Sequence, residues 1–251
     1  MDNDAYKEMI ALQEQHWWFV GRQKVIKSFL SMEKLSELGS EVLEVGCGVG
    51  GNVNLLSSTT RYLGIDMHLP AVDYCKEKYP QQSFRCSRIE DLPSEVKVRN
   101  FDSIFFLDVL EHLDQDVLVL RESSNFLKHG GKVLITVPAF NFLWSPHDEF
   151  VHHVRRYTKS SLEKSLEEAG YNIERMTYFN FILFPLAMIQ RVGMKLVKKK
   201  LNRHISTPPF LINWIFEKVF SFEGVLLKYI DLPVGLSIIA VVTKKQTDKH
   251  L

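Results

Sequence analysis

Between positions 147 and 157 the chain places His147, Asp148, Glu149, His152, His153, Arg155, Arg156 and Tyr157. An imidazole titrates near neutrality, so a histidine beside a carboxylate can take a proton from a hydroxyl acceptor. A His–Asp neighbourhood of this kind is therefore a credible general-base site, and His147, Asp148 and His153 are among its candidates. The same three could ligate a metal ion, but nothing else in the chain supports one and none is expected. Arg155, Arg156 and Tyr157 are candidate acceptor-binding residues. Their competing role is to lock this loop to its neighbours by hydrogen bonds.

A second cluster lies upstream in EVLEVGCGVGGNVNLL, residues 41–56, which reads as a buried strand, a glycine turn and a helix over 51–58. Gly46, Gly48 and Gly51 fit the GxGxxG pattern of a nucleotide-binding turn. Asp66 ends the next strand-like run twenty residues after Gly46, where it can bind both hydroxyls of a ribose. A dinucleotide would use that acid too, so Asp66 does not discriminate. Glu44 does. Pyrophosphate needs backbone N–H groups free of competing negative charge, whereas a carboxylate at the strand end suits a ligand carrying an ammonium and a sulfonium group. That ligand is S-adenosylmethionine. Glu44 as a cap or surface acid is the plainer alternative.

These residues must be held by a scaffold, and the hydrophobic pattern describes one. Short runs rich in Val, Ile, Leu and Phe occur at 41–46, 61–66, 83–87, 101–108 and 131–138, separated by helix-like stretches at 51–58, 69–79 and 114–128. Alternation of this kind implies βαβ units and a parallel sheet. A capped helix, TKSSLEKSLEEAGY, precedes two further strands, 171–179 and 236–245, expected to be antiparallel. The predicted fold is α/β: a Rossmann-like, doubly wound, seven-stranded sheet. Residues 1–38 are expected as an N-terminal helical lid, 39–180 with 234–245 as the core, and 181–233 as a helical insertion within one domain. The 251 residues, 45% hydrophobic and 24% charged, suffice for a full core. A net charge of +1 gives no basic field for nucleic acid. Three cysteines without CxxC spacing suggest neither disulfide framework nor zinc site, and a reduced, cytoplasmic setting is expected. The acidic, polar start is not that of a secretory signal.

EVGCGVG, FDSIFFLDVLEHL (101–113) and LKHGGKVLI, taken in order, resemble the class I S-adenosylmethionine-dependent methyltransferase family. The resemblance implies that Glu44, Gly46 and Gly48 line the methionine end, that Asp66 binds the ribose and that Met67 packs beside the adenine. It sets Asp108 and Val109 against the methionine moiety, although Asp108 could instead cap the short helix that follows. SRIEDLP (87–93) is similar to the family's adenine-edge segment, with Arg88 where an acid is usual; Ile89 and Glu90 then supply that contact. The segment from His147 to Tyr157, with its HD pair and HxRRYT run, resembles a subgroup whose members include quinone, lipid-related and glycan-related methyltransferases. On that resemblance His147, Asp148, His153, Arg155, Arg156 and Tyr157 are the motif positions, His152 lies outside the motif, and His147 or His153 is the base. His112, in LEH, is a further base candidate on the same resemblance. QHWWFVGRQ (15–23) resembles the start of that subgroup: Trp18 is placed as part of a water-excluding lid and Arg22 as a site for an anionic acceptor.

The insertion begins apolar at FILFPLAMIQ and turns basic toward Lys198 and Lys199. Met188, Val192 and Leu196 recur on one face, and Arg191, Lys195, Lys198 and Lys199 on another. A cap over the acceptor site, a peripheral membrane contact through 181–204 and a dimer interface are the three expectations. The expected function is O-methylation of a small or lipid-linked hydroxyl acceptor. An N-methyltransferase, a nicotinamide-dependent oxidoreductase and a silent cofactor-binding subunit are the alternatives.

Overall fold

The computed structural model describes residues 3–93, 96, 100–196 and 207–245, with side chains 192–196 outside that description. Seven strands form one sheet: β1 (Glu41–Val45), β2 (Arg61–Asp66), β3 (Ser83–Cys86), β4 (Phe101–Leu107), β5 (Leu127–Pro138), β6 (Tyr171–Phe179) and β7 (Ser237–Lys244). Their order is β3-β2-β1-β4-β5-β7-β6. β1 to β5 pair parallel; β7 runs antiparallel between β5 and β6. The chain direction reverses outward from β1, so the carboxyl ends of β1, β2 and β4 open a crevice at the switch point. The central strands are buried along most of their length, as near-continuous runs such as SIFFL and VLITV require.

The N-terminal stretch forms two helices, α1 (Asn3–Leu12) and α2 (Trp17–Met32), the second capped by the His16 ring accepting from Trp18 N–H. α3 (Leu69–Lys78) follows β2 and α4 (Asp116–Ser123) precedes β5. The stretch 114–128 is thus a shorter helix than its sequence suggests. α5 (Pro146–Phe150) and α6 (Lys159–Glu168) follow β5; α7 (Phe184–Leu196) and α8 (Phe210–Leu226) fill the interval between β6 and β7.

The helix expected over 51–58 is absent: only a single 3-10 turn, Val53–Leu55, follows the glycine turn. Ser57, Ser58, Thr59 and Thr60 have too little helix propensity to extend it. Instead α2 lies against the turn, with Gln23 donating to Gly51 O at 2.7 Å. α2 and α8 pack closely. Gly21 admits the Phe220 ring, where a Cβ would sit 2.6 Å from it, and Gly224 lies over Val25. Lys24 pairs with Glu217, and Ser28 donates to Gly224 O. Of the basic face expected on the insertion, Lys198 and Lys199 lie outside the described residues, as do the side chains of Val192, Lys195 and Leu196.

Candidate functional site

A cavity of about 1280 Å³ opens over the carboxyl ends of β1, β2 and β4 and extends to the loop after β5. Gly46, Gly48 and Gly50 all have φ between +53° and +73°. At Gly46 the restriction is also spatial, since a Cβ would lie 2.5 Å from Val109. The turn is tied to β2 by Gly46 and Cys47 N–H groups donating to Ile65 O. Asp66, at the end of β2, accepts from Gly48 N–H at 2.9 Å on Oδ2 and from His68 N–H at 2.9 Å on Oδ1. Tyr6 of α1 donates its hydroxyl to the same Oδ1 at 3.0 Å and stacks on the His68 ring. Burial and the Asp66 charge push the Tyr6 hydroxyl far above its usual range, so it stays a donor.

Gly46, Gly48, Asp66, Met67, Ile89, Glu90, Asp108 and Val109 all line the cavity, and so does Arg88. Glu44 does not. Its carboxylate accepts from Tyr62 Oη and Asn52 Nδ2, each at 2.6 Å, and burial raises it to about pKa 7. It acts on the cavity through Asn52, which lines it. The residues present fit S-adenosylmethionine: a glycine turn too tight for side chains, an acid at the second strand end, and no long helix N-terminus aimed at a pyrophosphate.

Asp108 follows β4 with φ +62°, an uncommon conformation for a non-glycine residue. It is held there by its N–H to Thr136 O, by Thr136 Oγ1 donating to Oδ1 at 3.1 Å, and by Arg22 Nε at 2.7 Å from Oδ2. Arg22 also reaches Asn52 and Thr136. It lines the cavity already paired with a carboxylate, so it is a strut between α2, β4 and β5 rather than an open anion site. Trp18 lines the cavity with the Arg22 guanidinium 5.7 Å from its ring, and Trp17, which also lines it, packs on Phe216 and Phe220.

On the acceptor side Asp148 is fully buried. It accepts from His153 Nδ1 at 2.9 Å, from Arg156 Nε at 2.8 Å and Nη2 at 3.0 Å, and from Ser145 N–H and Oγ at 2.8 Å. Burial opposes its charge, but these donors outweigh it and hold the carboxyl well below the usual range. His153 itself lines the cavity, with Nε2 the ring nitrogen that Asp148 leaves free. Glu111 Oε1 lies 3.8 Å from that atom. Glu111 is fully buried, neither oxygen has a hydrogen-bond partner among the described residues, and burial with Asp108 nearby pushes its carboxyl well up. His112 stacks edge-on to His153 with centroids 4.7 Å apart; burial and His153 lower it to about pKa 4. Glu111, His112 and His153 hold three ligand-type atoms within 4.8 Å of one another, the one grouping among the described residues able to grip a metal ion. His147 and Arg156 line the cavity as well.

Arg155 and Tyr157 do not. Arg155 pairs with Asp116 and donates to Asp114 O; Tyr157 is buried and donates to Asp116 and Leu110 O. Both lock the loop to α4, which corrects their assignment to the acceptor. Asp148 likewise acts from behind the cavity wall. Sequence reasoning passed over Tyr6, Asn52 and Glu111, and gave Arg191 only a place on the basic face of the insertion. Glu111 stood beside His112 in LEH, and its isolated acid between apolar residues was the available signal. Arg191, on α7, lines the cavity, donates to Leu143 O at 2.7 Å, and is lowered to about pKa 10 by burial and Arg156.

Residues 43–135 match the family model described as "Methyltransferase domain". A "probable S-adenosylmethionine-dependent methyltransferase" of Mycolicibacterium smegmatis is 28% identical over 204 residues, covering 79% of this chain and 76% of that relative. A ubiquinone biosynthesis O-methyltransferase of Xanthomonas axonopodis pv. citri is 27% identical over 196 residues, 66% of this chain and 80% of its own. The fold is similar to that of magnesium protoporphyrin IX methyltransferase from Synechocystis PCC 6803 with bound SAH: TM-score 0.59 at 13% identity, covering 97% and 95% of the two chains.

Proposed function

We propose that this enzyme, a class I S-adenosylmethionine-dependent methyltransferase and not a nicotinamide-dependent oxidoreductase, methylates a hydroxyl on a small or lipid-linked acceptor with His153 as general base. The observation that carries the reading is the Asp148–His153 hydrogen bond, 2.9 Å to Nδ1, on a histidine that lines the cavity. A carboxylate accepting from Nδ1–H fixes the tautomer whose Nε2 lone pair can receive a proton. Bound S-adenosylmethionine supplies an electrophilic methyl carbon on a sulfonium. Asp66 is the residue for its ribose, Gly46 and Gly48 for its methionine end, and Met67, Ile89 and Glu90 for its adenine.

The acceptor O–H gives its proton to His153 Nε2, and Asp148 stabilises the imidazolium that results. Arg156 keeps Asp148 ionised, which is the state that task needs. His112, neutral above about pH 4, adds no competing positive charge beside His153. Trp18 and α1 exclude water from the reacting end. His147 and Arg191 are left to orient the acceptor.

The test is His153→Ala and His147→Ala assayed with a hydroxyl and an amine acceptor, with cofactor affinity measured by calorimetry. Loss of the base is expected to cost about 10²–10⁴-fold in kcat on the hydroxyl, with cofactor binding unchanged and His147→Ala acting mainly on KM. A His153→Ala rate within a few-fold of wild type would sink the base assignment. Turnover of the amine alone would transfer the reading to N-methylation.

A further inference from the structure

α8 is apolar on two opposite faces. One carries Phe216, Phe220 and Gly224 inward to α2. The other carries Leu211, Trp214, Ile215, Phe222 and Val225 at helical spacing, all exposed, Leu211 at 64%. A surface helix ordinarily turns polar residues outward. Here the two acids point the other way: Glu217 pairs with Lys24, and Glu223 accepts from the Phe181 and Ile182 N–H groups. The one charge on the outer face is Lys218, 5.9 Å above the Trp214 ring. Phe210 at the start of α8 is 84% exposed, and on α7 Leu186 and Ile189 are exposed too.

Charge reinforces the pattern. From 181 to 216 the sequence contains no Asp or Glu but carries Lys195, Lys198, Lys199, Lys200 and Arg203 besides the cavity-lining Arg191, in a chain whose net charge is only +1. Among the described residues no helix is long and apolar enough to cross a membrane. An exposed apolar helical face bearing Lys218 and no acid, in a stretch of sequence rich in cations and free of acids, has the chemistry of an element lying in the plane of an anionic bilayer. There apolar side chains sink to the headgroup–acyl boundary and lysine or arginine is drawn to negative headgroups. A second copy of the chain brings the same acid-free, cation-rich stretch of sequence and no acid on the outer face of α8 to answer Lys218. Ala187, Gln190 and Phe216 of these same helices line the cavity, so its acceptor end lies beside this surface.

We propose that the outer faces of α7 and α8 dock this enzyme on an anionic lipid bilayer. Docking stands apart from the base assignment, since vesicle binding requires no methyl transfer. The experiment is cosedimentation of the full chain with vesicles of phosphatidylcholine alone or mixed with phosphatidylglycerol, at low and high salt. The Leu211→Glu/Phe222→Glu double variant and Ile189→Glu are run in parallel. All three substituted side chains face solvent, and retained cofactor binding verifies each fold. Binding to the anionic vesicles is expected to exceed that to phosphatidylcholine by about tenfold, to fall with salt and to be lost in both variants. Equal binding to the two compositions, no binding to anionic vesicles, or undiminished binding by the variants would overturn the proposal. So would a wild-type dimer that the variants split and that ignores vesicles.

Discussion

At the scale of single residues the site is a set of carboxylates given different tasks by their surroundings. Asp148 is kept ionised by Arg156, Ser145 and His153; Glu44 and Glu111, equally buried, have no cation paired with them and are pushed toward the neutral form. Asp148→Asn removes the partner of a buried guanidinium and is expected to cost about 3–5 kcal/mol of stability, together with a fall in kcat. Denaturant titration and initial rates report the two separately. Glu44 gives a pH signature. Its folded value of about 7 lies above the ordinary 4.5, so between those values the folded chain holds a proton that the unfolded chain has released. Its stabilising contribution is complete below pH 4.5 and is lost as pH rises through about 7. Glu44→Gln does not titrate. The melting temperature of the variant relative to wild type should therefore climb across this window and level off above it. A flat difference in scanning calorimetry would show Glu44 ionised throughout.

At the scale of elements the glycine turn and the helix pair carry the sharpest constraints. Gly46→Ala meets both the left-handed φ and Val109 and should weaken cofactor binding in calorimetry more than any single lining substitution. Gly21→Leu drives a side chain into Phe220. Overpacking of that kind costs about 1–3 kcal/mol, about 2–4 °C of melting temperature per kcal/mol in a chain of this size. The central strands β1, β4, β5 and β7 were legible because each carries a short run of Val, Ile, Leu or Phe, and β2 and β6 match the expected limits residue for residue. The helix expected after the glycine turn was not, since nothing local in that stretch reveals that α2, from the N-terminus, occupies the space beside it. In the same way, Arg155 and Tyr157 look like ligands in a linear motif. Only the arrival of Asp116, 39 residues away from Arg155 in the chain, turns them into loop anchors. Asp66 and Asp148 were legible as acids at a strand end and beside histidines; that Tyr6 shares the first was not, because 60 residues separate them.

At the scale of the whole molecule, ligand and fold are coupled. At a concentration one hundred times its Kd, the cofactor should stabilise the native state by about 2.7 kcal/mol, and Asp66→Ala should remove most of the resulting rise in melting temperature. β7 imposes a different demand. It is the last strand in the sequence, yet it lies between β5 and β6, pairing with both along its length. During synthesis β6 therefore leaves the ribosome with no neighbour, and β5 keeps an open edge of Val, Leu and Ile until more than fifty further residues have emerged. Completion of the sheet is thus slow, because the contact that completes it joins distant parts of the chain. A chain stopped at residue 233 should aggregate on expression, and adding 234–245 in trans as a separate peptide should recover soluble material. Soluble, cofactor-binding protein from the shortened chain would mean that the parallel half of the sheet stands without its keystone.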